Sequence, residues 1–228
     1  MQLDAARQHA TKTFRRSACP VCHMEVIAKC GSLKRWHWAH VSRIDCDHWS
    51  EGLSAWHLAW QDRVKESCQE VVIRGEHRAD ICLSTGQVIE LQHSPISPEE
   101  IAEREQFYGN MLWIFDAQPF VHNLLFKEKV NKYDEVYYTF RWKHPRQSII
   151  SCQKLPIYFD VGIVEGFATM PSLFKLRKFY SYENEGDWGP YTTWYGSGEF
   201  LEKNDSLYRY LFGNDYQPSI SHSIPAVA

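Results

Sequence analysis

Apolar positions recur three and four residues apart through Leu53, Trp56, Trp60 and Val64, with His57 at the edge of the stripe. That spacing predicts an amphipathic helix, with Ser50 as N-cap and Glu51 in its first turn. The period then shortens. Glu70 to Arg74 (EVVIR), His77 to Leu83 and Gln87 to His93 read as three strands, separated by turns at Gly75-Glu76 and Ser84-Thr85-Gly86. Ser97-Pro98-Glu99-Glu100 carries an N-cap, a proline at the first helical position and a glutamate placed for a capping box. This predicts a helix to about Tyr108, ended by Gly109-Asn110, and the unbroken apolar run Met111 to Phe115 predicts a central strand. The expected order is αβββαβ.

Three polar residues disturb this pattern. Asp80 lies among Ala79, Ile81 and Leu83, while Glu90 and Gln92 lie among Val88, Ile89 and Leu91. Alternation along a strand puts Glu90 and Gln92 on one face, and a simple hairpin register brings Asp80 towards Glu90. Carboxylates close together in an apolar sheet repel unless a proton or a cation lies between them. Mg²⁺ or Mn²⁺ suits such oxygen ligands and can promote phosphodiester hydrolysis. The plainer reading makes both acids polar positions on half-exposed strands.

Upstream, the run CPVCHMEVIAKCGSLKRWHWAH combines Cys19 and Cys22 in a CxxC knuckle with His37 and His40 beyond a β-hairpin pattern. Two thiolates and two imidazoles suit tetrahedral Zn²⁺. No helix separates the ligand pairs, so a structural ribbon is expected, folded by its metal. Cys30, His23, Cys46 and His48 are close enough in sequence to replace any one ligand, with Cys46 and His48 in a connecting loop.

Composition narrows the setting. The 228 residues are 44% hydrophobic, enough for a domain with an appendage or for two small domains. Seven cysteines fit reduced thiols and metal ligation in a cytoplasmic protein better than a disulfide framework. No apolar run is long enough to span a bilayer and no signal-peptide core is seen, so no membrane association is expected. The net charge of −3 excludes a protein that merely coats nucleic acid; such contact must be local or metal-assisted.

The stretches HWAHVSRIDCDHWSEGLSAWHLAW, HRADICLSTGQVIELQHSPISPEEIAEREQFYGNMLWIFDA and WKHP resemble the competence protein CoiA-like family, from about residue 19 to 117. The resemblance implies a PD-(D/E)xK nuclease-like αβββαβ core with a mixed sheet, preceded by a small zinc ribbon. It implies that Asp80 and Glu90 ligate the catalytic metal and that Gln92 stands where most of the superfamily has lysine. Glu51 and His57 fall on the family's helix motif as further catalytic candidates, and Arg104 and Tyr108 match the following helix as substrate-binding ones. Relatives often carry lysine where this chain has Gln61, with Lys65 one turn further on. For Glu51 a helix-dipole role, for His57 a core histidine, and for Arg104 an ion pair with Glu100 are the competing structural readings.

The expected organisation is 1–48, the zinc-binding segment; 49–117, the nuclease-like core; and 118–228, an aromatic-rich β extension. In the extension, Asp134 to Trp142 and Leu155 to Val161 read as strands. Lys143 and Arg146 flank a basic turn able to touch a phosphate backbone or stack a base, and Lys175, Arg177 and Lys178 form a second basic face. The expected function is Mg²⁺- or Mn²⁺-dependent DNA hydrolysis, in transformation and recombination or in defence against foreign DNA, with a recombination or defence protein as a further partner. Two alternatives stand beside it: an inactive nuclease-fold DNA-binding module, and a zinc-stabilised protein-interaction protein.

Overall fold

A computed structural model describes residues 16–29, 37–42, 46–49, 52–186 and 189–218. The chain divides into two compact units, 1–85 with 217–228, and 86–216. The fold is α/β, with a large mixed sheet in the second unit.

In the first unit, β1 (Arg16–Ala18), β2 (Glu25–Lys29) and β3 (His37–His40) form a three-stranded antiparallel sheet. Val26 pairs with His40 and Lys29 with His37, which is the expected hairpin. Helix α1 (Ala55–Gln61) begins later than its periodicity suggests. Its N-cap is Ser54, not Ser50, and Glu51 lies outside the described residues. His57 at N3 completes a capping box: the Ser54 hydroxyl accepts from the His57 amide, and the Ser54 amide donates back to His57 Nδ1. Strands β4 (Gln69–Ile73) and β5 (His77–Cys82) follow as an antiparallel pair. Alternation buries Ala79 and Ile81 of β5 on one side and leaves Arg78, Asp80 and Cys82 half-buried on the other.

In the second unit, β6 (Val88–Gln92) is buried along its whole length and runs parallel to β7 (Met111–Asp116). The crossover is α2 (Pro98–Tyr108), capped by Ser97 with Pro98 in its first turn. Its buried positions, Ile101, Arg104, Glu105 and Tyr108, recur at helical spacing. Beyond β7 come β8 (Leu124–Val130), β9 (Val136–Trp142), the short helix α3 (Gln147–Ile150), β10 (Ile157–Val164), β11 (Ala168–Gly186), β12 (Gly189–Glu202) and α4 (Asp205–Phe212). These strands do not form a separate sheet. β10 pairs parallel to β7, and the order within this unit is β6-β7-β10-β11-β12-β9-β8. Phe115 of β7, Phe159 of β10 and Phe140 of β9 belong to one continuous buried core. Among the described residues no helix is long and apolar enough to cross a membrane.

Candidate functional site

Cys19, Cys22, His40 and Cys46 bring one ligand atom each to within 4.8 Å of the others. The Cys19 and Cys46 sulfurs lie 3.5 Å apart, and Cys22 Sγ lies 3.2 Å from His40 Nε2. The knuckle is formed locally: the Cys19 amide donates to the Met24 carbonyl, the His23 amide to the Cys19 carbonyl, and the Val21 amide to Cys19 Sγ. Burial pushes the Cys19 thiol up, but the Cys22 and Val21 amides and the neighbouring sulfurs outweigh it, so its pKa falls below the ordinary value. Cys46 is pushed up to about 12, by burial and then by Cys22 and Cys19. Thiolate charges this close together repel one another, and a dication would balance them. Zn²⁺ fits this soft S₃N donor set. Cys46 supplies the ligand that the CxxC and HxxH spacing alone did not select, and the side chain of His37 lies outside the described residues.

The residue after Cys46 reaches into β5. Asp47 Oδ1 lies 2.9 Å from His77 Nδ1 and accepts from the Trp49 amide at 3.1 Å, while Oδ2 accepts from the Arg78 amide at 2.9 Å. Trp49 stacks on the His77 ring at 3.4 Å. Asp47, His48 and His77 are close enough to suggest a second metal site. With both Asp47 oxygens engaged by nitrogen donors, the trio is a clasp joining the cysteine cluster to the strand that carries Asp80.

On the half-buried side of β5, the decisive neighbour is a residue that strand reading passed over. Glu70 is 4% exposed and adopts a φ of +53°, a left-handed conformation costly for a glutamate. Gln61 Nε2 donates to its Oε1 at 2.5 Å, and Arg78 Nε to its Oε2 at 2.8 Å. The same Gln61 amide reaches the Asp80 carbonyl at 3.3 Å, and Gln61 Oε1 is buried without a hydrogen-bond partner. Gln61 therefore bridges Glu70 to the backbone of Asp80. His57, 3% exposed, turns Nδ1 to the Ser54 amide and hydroxyl in its capping box.

In the second unit, Glu90 is 2% exposed and its Oε2 accepts from Arg104 Nη1 at 2.7 Å. Arg104 also holds Glu100, one turn before it on α2. Burial opposes the guanidinium charge, but Glu90 and then Glu100 hold its pKa above the ordinary value. Arg104 is thus a buried partner of Glu90 as well as of Glu100. Gln92 donates from Nε2 to the Ser94 carbonyl at 2.9 Å. Tyr108 is buried on α2. Lys143 is exposed, whereas Arg146 lies over the Phe120 ring at 4.1 Å and lines a cleft of about 250 Å³ with Ser94, Ile96, Phe115 and Ser148. The structure therefore brings Arg146 beside the segment that follows Gln92.

Two family models match the chain. The competence protein CoiA N-terminal domain matches residues 3–48, and the competence protein CoiA nuclease-like domain matches residues 55–156. Neither the curated proteins nor the solved structures provide a match. The first span contains all four members of the Cys₃His cluster, and the second runs from α1 past α3, including Asp80, Glu90 and Gln92. With both spans in order along one chain, it belongs to the competence protein CoiA-like family.

Proposed function

We propose that this protein is a metal-dependent nuclease that hydrolyses DNA phosphodiester bonds during competence. The observation that carries the reading is Glu90: a carboxylate 2% exposed, fixed by a buried arginine and followed by Gln92, inside the span matched by the nuclease-like domain. A buried carboxylate needs a cationic partner, and Arg104 supplies one at Glu90. Asp80 and Glu90 would hold Mg²⁺ or Mn²⁺, for which carboxylate oxygens are suitable ligands. When bound, such an ion supplies Lewis-acid stabilisation of charge on the phosphate. Arg104 orients Glu90, and Gln92, tied at its amide nitrogen to Ser94, aligns the attacking water. Glu70 and Gln61 fix the backbone at Asp80.

One observation favours a second reading, a nuclease fold that grips DNA without turnover. Gln61, where the resemblance implies lysine in many relatives, brings no positive charge and already donates to Glu70. A cleavage panel separates the two. Single-stranded DNA, duplex DNA and RNA are incubated with Mg²⁺ or Mn²⁺ and either wild type, Asp80→Ala or Glu90→Gln. The nuclease reading expects metal-dependent cleavage of DNA that falls at least about a hundredfold in each variant, the scale of losing a main electrostatic contribution. Cleavage surviving Asp80→Ala contradicts the mechanism, and metal-dependent binding without any cleavage supports the second reading.

A further inference from the structure

We propose that the outer face of the β8-β9-β12-β11 sheet is a binding platform for single-stranded nucleic acid, with β8 and β9 inside the span that the nuclease-like domain matches and β11 and β12 beyond it. The proposal deepens the nuclease reading by naming the strand form, and its test does not depend on cleavage.

The two faces of this sheet differ sharply. Phe126, Phe140, Phe174 and Phe200 turn inward and pack ring to ring, with centroids 4.9–5.7 Å apart. Phe140 lies so close over Gly196 that a Cβ there would stand 2.3 Å from its ring, so this inner face is closed by packing. Strand register then fixes what points the other way. Tyr195 pairs with Tyr180 on one side and with Arg141 on the other, and Thr193 pairs with Tyr182. Tyr137, Tyr180, Tyr182, Tyr191 and Tyr195 therefore share the outer face. Tyr180 and Tyr195 stack at 5.4 Å and 8°, and Tyr182 meets Tyr195 edge-on at 5.6 Å. Tyr182 is 60% exposed and Tyr191 56%.

Cations interleave with these rings. Lys127 and Lys129 of β8, Arg141 of β9 and Lys178 of β11 are exposed on the same face, and none is paired with a carboxylate among the described residues. Among the described residues that alternation places on this face, the acid is Glu199, and it is neutralised by Arg177 at 2.6 Å and Lys175 at 3.7 Å. A chain of net charge −3 thus carries a locally positive surface of flat rings. Unpaired bases stack on aromatic side chains while lysine and arginine follow the phosphates. A duplex offers this face phosphates but no open base for the tyrosines, and a protein partner gains little from four unpaired cations unless it is acidic. Charge and ring spacing together favour a single strand.

The test is fluorescence anisotropy of a labelled oligothymidylate of about 20 nucleotides, long enough for one such site. It uses the full-length protein without added divalent metal, over a range of salt. Tight binding to the single strand with weaker binding to a duplex is expected. Tyr182→Ala combined with Tyr191→Ala, both at exposed positions, should weaken binding about tenfold or more with the salt dependence unchanged. Lys127→Gln combined with Lys129→Gln should make the log–log salt slope shallower by about 1.4, at about 0.7 per phosphate contact. Wild-type affinity in the tyrosine pair, equal affinity for duplex, or no binding to a single strand overturns the proposal. Binding that obeys these expectations in a protein that cleaves nothing sustains the platform and overturns the nuclease reading instead.

Discussion

The two candidate carboxylates are held by different means. Glu90 lies on a strand with all five residues buried, and a buried arginine on the crossover helix grips it directly. Asp80 lies half-buried on a strand organised from outside: Asp47 holds the strand's first two residues, and Gln61 bridges its backbone to a strained Glu70. One acid is positioned by core packing. The other is positioned by a polar network that continues, through Cys46 and Asp47, into the Cys₃His cluster whose donor set fits zinc. The two carboxylates therefore rest on different kinds of support, and the one held by the polar network should be the one that depends on zinc.

The largest expected effect breaks the packed support. Arg104→Ala leaves Glu90 as an uncompensated charge in the core, so thermal or urea unfolding should show a loss of about 3–5 kcal/mol. Arg104→Lys should recover part of it, since one ammonium cannot reproduce the fork that joins Glu90 and Glu100. A loss below about 1 kcal/mol, the scale of an exposed pair, would show that the arginine is not the support described.

A smaller effect sharpens the polar support. Asp47→Ala removes a charged acceptor from the Arg78 amide and from His77, which should cost about 1–3 kcal/mol and raise hydrogen exchange along β5 while β6 keeps its protection. Chelating zinc from the wild type should raise exchange in β5 in the same way. Zinc affinity should fall as pH falls, because ligation requires the thiols to lose their protons. Equal exchange in β5 with and without zinc would separate the cluster from the strand.

Much of this was legible in the sequence, for stated physical reasons. The Ser97-Pro98 cap, the apolar run at Met111 and the Gly-centred turns are local signals, and the αβββαβ order follows from them. The CxxC knuckle and His40 were legible as metal chemistry. Cys46 was less so, because a ligand supplied by a loop has no fixed spacing. The start of α1 was misplaced since Ser50 and Ser54 are equally good N-caps and only Ser54 has His57 three residues on. Glu70 was hidden because EVVIR has the composition of a strand, and nothing in a glutamate announces a left-handed φ. The pairing of β10 with β7 joins residues more than forty positions apart, beyond the reach of any local pattern. The basic turn was visible, but the packing of Arg146 on Phe120 was not.

The central claim is that Asp80 and Glu90 bind one hard divalent ion together. Its most direct test is calorimetric titration of Mn²⁺ into zinc-loaded full-length protein, compared with Asp80→Asn and Glu90→Gln. The account predicts a Mn²⁺ site in the wild type that either substitution alone removes, with bound zinc unchanged. A site that persists after either substitution, or no Mn²⁺ binding in the wild type, would contradict it.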